Sequence, residues 1–581
     1  MKILILIVFL VFNCIKNYNV LKNKDKNIDE ELITALELNN IALIKLLVNN
    51  GANVNYIHND KTLLEIAMCN CGVKIIKLLI KKGAYIDDKF YISMLLAQSA
   101  YKGNIKLVRF FINKGAYIEG LQKDGITPLM YACQSKNPEA VKELLKWGAN
   151  INAKDILGNT PIIYAAYSRS PDIVEILYKN GASVNDKNIC GNSPLMHAVA
   201  LEDNETSSIL LNYGAKVNDK NNYGETPLIF ALKNKNIKTA KFLIEKGANT
   251  NEVDNNGNTI LILSCNCNDN EMINLLLKVN KRTINYKNNY GETALMFAAR
   301  HGYIDTIISL LNYGASINKK NTRGETALMY ASKTNQFKAV EILVERGAIV
   351  DDYNKQGCTA LGYCCLYKST NTLNYLLKAR ANPFSKNKYG ITTLMYASIR
   401  NHYNIVNKLL KFGLNVNEEN IYGETALMYA AKNDCRKIVK LLIKYGANIN
   451  IKNVYQETAL TYAAANGSLF SLELLIRYGA NVNEKDVFGL TALMHAAKNK
   501  QLEISYKLID KGADINSKDI CGNTALMYAA ENQCQRLLEL LVKKGADLYV
   551  KNLYGETALA NSLKLFKTKA AKVFLRHGVK Y

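Results

Sequence analysis

The feature that most constrains this chain is a glycine that returns every 33 residues. In the phrase Gly-x-Thr it stands at Gly125, Gly158, Gly191 (with Ser193 for Thr), Gly224, Gly257, Gly291, Gly324, Gly357, Gly390 and Gly423. After Gln456 substitutes once, it continues at Gly489, Gly522 and Gly555. Twelve of the thirteen intervals are 33 and one, Gly257 to Gly291, is 34. A second glycine closes each unit, from Gly51 and Gly83 through Gly446 to Gly545 and Gly578, with Asn280 and Arg380 in the two registers that lack it. About seventeen units fit this phase across residues 27–581. Length alone, 581 residues, would suggest three to five separate domains. The period overrides that expectation. A unit this short cannot enclose a core of its own, so it must bury its apolar face against the units on either side.

Each unit reads as two helices and a projection. In Gly423-Glu-Thr-Ala-Leu-Met-Tyr-Ala-Ala431, Thr425 is a favoured N-cap, because its hydroxyl accepts from an orphan N–H, and Ala426 starts the helix. Pro128, Pro161, Pro194 and Pro227 take that first helical place in sister units, where a missing N–H costs nothing. After a polar break, residues 437–445 carry Ile438, Val439, Leu441, Leu442 and Ile443 at helical spacing. Gly446 then supplies a left-handed stop, and lysines in the last turn suit the helix dipole. Residues 447–455 are too few and too polar for a third helix and lead through a turn to the next cap. The unit is helix, turn, helix, finger.

Those residues resemble the ankyrin repeat, which reads roughly D-x-x-G-x-T-P-L-H-x-A-A and then I-V-x-x-L-L-x-x-G-A-D-V-N. Asp155, Asp254, Asp486 and Asp519 keep the leading Asp, whereas Asn221, Asn288, Asn321 and Asn420 replace it. The family's His gives way to Met at Met130, Met196, Met296, Met329, Met395, Met428, Met494 and Met527, which exchanges a polar bridge for apolar packing. The resemblance covers nearly the whole chain. It implies an all-α fold, an ankyrin-repeat solenoid of stacked helix-turn-helix units with projecting β-hairpin-like fingers. It also implies partner recognition, usually of proteins, through fingers and inner helices, without catalysis.

Geometry suggests two candidate surfaces. At about 100° per residue, Leu427, Ala430 and Ala431 share one face of their helix and Tyr429 points away from it. The same place carries Tyr131, Tyr164, His197, Phe230, Leu263, Phe297, Tyr330, Tyr363, Tyr396, Tyr462, His495 and Tyr528. Tyr offers large rigid area and a polar tip, so Tyr330, Tyr363, Tyr396, Tyr429 and Tyr462 are candidate partner-binding residues on the inner-helix face. The competing reading is that these rings lean on one another. A second aromatic set precedes the turn glycine at the finger tip: Tyr223, Tyr290, Tyr389, Tyr422, Tyr455, Phe488 and Tyr554. Tips carry little packing duty, so aromatic rings there point to binding.

Chemistry-bearing motifs are missing from the sequence. There is no GxxxxGK[ST] loop, GxGxxG turn, GxSxG elbow or HExxH pair. The thirteen cysteines and six histidines form no set at zinc spacing. We expect no catalytic, cofactor-binding or metal site, and no enzyme. Cys133, Cys265, Cys364 and Cys365 fall in small-residue places of first helices and read as compact apolar filler. Lys+Arg 74 against Asp+Glu 50 leaves +24, but acidic residues are interleaved with the lysines. Protein partners of unspecified identity are expected, with no nucleic-acid partner and a monomeric chain. The alternatives are an electrostatic binder of nucleic acid or an anionic surface, and a structural spacer at the cell envelope.

Outside the repeats, Met1-Lys2 followed by the apolar run Ile3–Phe12 resembles a bacterial secretion signal. Ten residues are too few to span a bilayer, which takes about 20. Val11-Phe12-Asn13-Cys14 resembles a lipoprotein cleavage site, making Cys14 a candidate for lipidation. We expect residues 1–14 to be a signal or lipoprotein-type segment, 15–26 a polar tether and 27–581 the repeat array. That makes the chain exported or membrane-anchored, with membrane contact through the N-terminal segment only; a cytoplasmic chain follows if that segment caps the first repeat. Units near 257–290 and 357–389 are irregular, and a hinge is expected near Asn280. The lysine-dotted last unit reads as a terminal cap with no further domain.

Overall fold

The computed structural model describes residues 28–59, 61–86, 88–120, 124–564 and 568–579. The expected leader, Cys14 and the tether lie outside the described residues. Within them the chain forms seventeen consecutive helix pairs, from Ile28–Glu37 with Ile41–Asn49 to Ala558–Lys564 with Thr568–Arg576. It divides into two compact units, with the boundary between Asn255 and Asn256. No described helix is long and apolar enough to cross a membrane.

The module around Gly423 shows how the sequence builds each pair. Thr425 caps Ala426–Lys432, its Oγ1 accepting from the Met428 N–H at 3.4 Å. Leu427, Ala430 and Ala431 are buried against the first helices of adjoining modules, as the helical wheel predicts. Arg436–Lys444 buries Ile438, Val439, Leu441 and Leu442. Between the helices Asp434 adopts φ +50, and the Cys435 N–H returns to the Ala430 carbonyl at 2.9 Å. Lys136, Arg169, Glu202, Lys235, Asn335 and Lys500 adopt the same left-handed turn. Glycine, the residue type that signals such a turn, occupies it only in a few modules such as those of Gly302 and Gly467, so the sequence hides it.

All eight methionines of the His-to-Met exchange are buried. Three of them do more than pack. The sulfurs of Met130, Met395 and Met494 accept the backbone N–H of the preceding N-cap threonine at 3.4, 3.5 and 3.5 Å. They occupy the place that Glu or Gln fills in a capping box, with a softer acceptor.

The two irregular units differ from each other. Asn280 does not supply a left-handed stop: its φ is −148, and the extra residue of the 34-residue interval is absorbed by a 3-10 helix, Lys281–Asn285, that buries Thr283 and Ile284. Arg380 does adopt the left-handed conformation, at φ +65, and Thr370–Lys378 still buries Leu373, Leu376 and Leu377. True strand pairing is rare in the fingers. Among the described residues only Ile57–His58 and Lys61–Thr62 form a two-stranded sheet, with Ile57 opposite Thr62. Elsewhere among the described residues pairing is limited to the isolated bridges Tyr353 with Thr359 and Lys386 with Thr392, and turns, side chains and single backbone bonds hold the fingers.

Candidate partner-binding surface

The finger turn is built from one asparagine and one glycine. Asn420 Oδ1 accepts the backbone N–H groups of Tyr422 and Glu424, both at 2.9 Å, and the Gly423 N–H returns to the Asn420 carbonyl at 3.0 Å. Asp486 and Asp519 make the same pair of bonds in their modules. Gly423 sits at φ +72, and a Cβ there would stand 3.0 Å from the Asn453 Cα of the next finger. Adjacent tips are thus in backbone contact.

That contact sets the register of the tips. In the unit after Asn255, the N–H of Ile421 bonds the Tyr389 carbonyl, Val454 that of Tyr422, Val487 that of Tyr455, Ile520 that of Phe488 and Leu553 that of Cys521, at 2.9 to 3.1 Å. Each tip therefore presents the same two positions, one step along from the last, and at one of them, Ile520/Cys521, the second residue is a half-buried cysteine. The expected aromatics Tyr290, Tyr389, Tyr422, Tyr455, Phe488 and Tyr554 are all exposed, as is Tyr223 in the first unit. Sequence reasoning missed their partners: Ile421, Val454, Val487, Ile520 and Leu553, the residues immediately before, are also exposed. Their own 33-residue recurrence was the available signal. Five consecutive tips, Ile421/Tyr422 to Leu553/Tyr554, make a continuous apolar stripe. Exposed apolar surface gathered in this way marks an interaction site.

The inner-helix row is different. Tyr330 and Tyr363 are each only 7% exposed, and Tyr396, Tyr429 and Tyr462 are half-buried. Their hydroxyls are hydrogen-bonded, those of Tyr330, Tyr363 and Tyr462 to the preceding module and those of Tyr396 and Tyr429 within their own. Tyr429 donates to Glu424 Oε2 at 2.5 Å, and Tyr462, one module on, donates to Glu424 Oε1 at 2.6 Å. Tyr330 donates to Glu292 at 2.6 Å and Tyr363 to Glu325 at 2.5 Å, while Tyr396 accepts from Asn387 at 2.8 Å. These bonds agree with the competing reading of the row, in which the rings pack the stack: Tyr330, Tyr363 and Tyr462 latch one module to the one before. Burial and the carboxylate partner push the Tyr330 hydroxyl up to about 12. Burial alone would raise the carboxyl of Glu424, but the hydroxyls of Tyr429 and Tyr462, the Asn420 amide and Lys432 outweigh it and hold Glu424 below the ordinary carboxylate range.

Charge on the fingers is paired across modules. Lys187 meets Asp219, Lys220 meets Glu252, Lys320 meets Asp352 and Lys452 meets Glu484, at 2.5 to 2.9 Å. Lys386 likewise meets Glu418. Beneath them an asparagine ladder ties each finger to the end of the next second helix: Asn417 donates to the Gly446 carbonyl at 3.1 Å and accepts the Asn448 N–H at 2.7 Å. These lysines are elements of the stack, not an unpaired basic stripe.

Trp147, half exposed, donates from its indole N–H to Glu143 at 2.9 Å, and Arg109 grips the same carboxylate through two bonds of 2.8 Å. One set of side chains with metal-binding chemistry converges among the described residues, Glu457, Asp486 and His495, at the finger bases rather than the tips.

The sequence matches the family model Ankyrin repeats (3 copies) over residues 94–188, 184–254, 247–321, 310–387, 379–453 and 451–519. It matches Ankyrin repeats (many copies) over residues 508–560. A comparison with curated proteins gave no match. Repeats of this family are protein–protein interaction modules and non-catalytic scaffolds. With matches spanning most of its length and seventeen helix pairs in one phase, the chain belongs to the ankyrin repeat family.

Proposed function

We propose that this protein is a non-enzymatic scaffold that binds a protein partner along the finger-tip stripe from Ile421/Tyr422 to Leu553/Tyr554. The carrying observation is that four of five successive tips expose a paired aliphatic and aromatic side chain, the fifth exposing Ile520 beside a half-buried Cys521, in a register set by tip-to-tip backbone bonds. Tyr and Phe dominate binding energy where they fit partner pockets, because they bury large area at little entropy cost. The inner-helix tyrosines serve this surface indirectly by latching the modules that carry it. The paired finger lysines argue against an electrostatic binder as the main reading.

We further propose that the chain is exported or tethered through its N-terminal segment, with Cys14 as the acylation site; recovery of an unmodified peptide containing Cys14 from intact cells would refute the tether. The main test is crosslinking in the native cell, with recovered proteins compared between wild type and the triple variant Tyr422→Ala/Tyr455→Ala/Phe488→Ala. The scaffold reading predicts a partner lost from the variant at unchanged helicity. Capture that persists in the variant refutes the tip stripe. Capture of nucleic acid, collapsing between 50 and 200 mM salt, refutes a protein partner.

A further inference from the structure

The latch register contains an exception. In the modules of Tyr330, Tyr363 and Tyr462 the tyrosine on the first helix reaches the finger base of its own module, nine residues back, and the acidic place of the preceding module, 38 residues back. For Tyr462 these are Asn453 and Glu424; for Tyr330 they are Asn321 and Glu292. For His495 they are Asp486 and Glu457. Two carboxylates and an imidazole replace a hydroxyl, an amide and one carboxylate. The other histidine in this row, His197, has asparagines at both places, Asn188, which it meets at 3.5 Å, and Asn159, which Asn188 holds at 3.0 Å, so histidine alone does not bring the acids with it.

A second departure falls on the same spot. The acid of the latch has a cation eight residues on: Lys233 for Glu225, Arg300 for Glu292, Lys333 for Glu325 and Lys432 for Glu424. Eight residues after Glu457 stands Ala465. Glu424 receives two tyrosine hydroxyls and an amide besides its lysine, whereas among the described residues the side chain of Glu457 receives a single bond, from Asn453 Nδ2 at 2.9 Å. Lys498, one turn beyond His495, lies over the Tyr528 ring at 5.9 Å. The junction thus holds two carboxylates without the lysine or arginine its sisters have.

From this we infer that Glu457, Asp486 and His495 bind a divalent first-row metal ion of the zinc class and staple two neighbouring modules together. One ligand atom from each residue already lies within 4.8 Å of the others. His495 Nε2 stands 2.9 Å from Asp486 Oδ2, and the Asp486 side chain is 2% exposed. One imidazole and two carboxylates form a three-ligand set of the kind zinc accepts, leaving a fourth position for water. The outer contacts are in place: Asp486 Oδ1 accepts the N–H groups of Phe488 and Leu490 at 2.9 and 2.8 Å, and Asn453 orients Glu457. The ion supplies the charge that Ala465 does not.

The test uses the full chain, stripped with a chelator and titrated with Co2+ while its visible spectrum is recorded. His495→Tyr is the informative variant, because Tyr528 with Asp519, bonded at 2.5 Å, shows that Tyr beside Asp is at home in this register. Wild type should take up one equivalent with a nitrogen and oxygen spectrum. His495→Tyr and Glu457→Gln should lose it, with affinity at least about tenfold weaker, and Ala465→Lys should weaken it by supplying the missing cation. Zn2+ should slow amide exchange across residues 453–495 in wild type alone. Equal uptake by wild type and His495→Tyr, a spectrum carrying a thiolate charge-transfer band that His495→Tyr leaves unchanged, or no uptake would overturn the proposal.

Discussion

Replacing Tyr462 with Phe removes one oxygen and leaves the ring, so it isolates the latch from the packing. The lost group donates to Glu424 Oε1 at 2.6 Å and accepts from Asn453 at 3.2 Å. A hydrogen bond to a charged group contributes about 1.5–3 kcal/mol net. Glu424 retains Tyr429, Asn420 and the field of Lys432, so the remaining carboxylate is not orphaned and the middle of that range, about 2 kcal/mol, is expected. In a stack stabilised by nearest-neighbour contacts the loss is felt at one junction, so a global melting midpoint is the wrong observable. Amide exchange of peptides covering residues 426–475, measured by mass spectrometry, reads it directly. Two kcal/mol corresponds to about thirty-fold faster exchange by local opening. The pH dependence has a fixed sign. Glu424 is held below its unfolded pKa, so its stabilisation is complete at neutral pH and fades as pH falls through the depressed folded value. The gap between wild type and Tyr462→Phe, each compared at matched pH, should therefore shrink in acid. Exchange within twofold of wild type at pH 7, or a gap that does not change with pH, would refute the latch.

Other predictions address the backbone and the thiols. Gly446→Ala should cost about 1 kcal/mol, the penalty of a left-handed residue, because at φ +86 its Cβ would meet nothing within 4 Å. Gly423→Ala should cost clearly more, since its Cβ adds a 3.0 Å approach to the Asn453 Cα; equal losses in local exchange would show that tip-to-tip contact does not constrain this place. Burial pushes the thiols of Cys133, Cys265, Cys364 and Cys365 well up, and those of Cys358 and Cys435 up to about 11. Iodoacetamide at pH 8 should therefore label half-exposed cysteines such as Cys190, Cys521 and Cys534 before the buried ones, and labelling of Cys133 at the same rate would contradict the buried core. Changing Tyr422 or Tyr455 to Ala should move stability by less than about 0.5 kcal/mol, as for exposed residues outside the packing, and a larger loss would mean that the tips are structural.

Much of the fold was legible because its causes are local. Thr425 caps a helix through an N–H three residues away, Gly446 stops one by its own φ, and Leu427, Ala430 and Ala431 share a face within one turn and a quarter. Seventeen helix pairs follow from such short-range rules repeated in phase. The Met sulfur caps and the left-handed turn at Asp434 were not legible, since a soft acceptor and a non-glycine residue carry no distinctive signal. The same holds for Asn280, where a one-residue insertion winds into a 3-10 helix in place of the finger start.

The candidate site divides along the same line. Tip aromatics could be read from the sequence because a turn residue ahead of glycine has nowhere to be but outside, and Tyr422, Tyr455 and Phe488 are there. The tyrosine row could not. A helical wheel places Tyr429 and Tyr462 away from their own core, but whether a hydroxyl there meets water or a carboxylate depends on Glu424, which serves both rings from two successive modules. The sequence by itself determined what each module is. The stacking of modules decided what lies between them: the latches, the tip register and the meeting of Glu457, Asp486 and His495. The physical reason is range. Capping and amphipathic burial act over three or four residues, whereas an inter-module contact joins atoms some thirty residues apart whose approach only the packed neighbours fix.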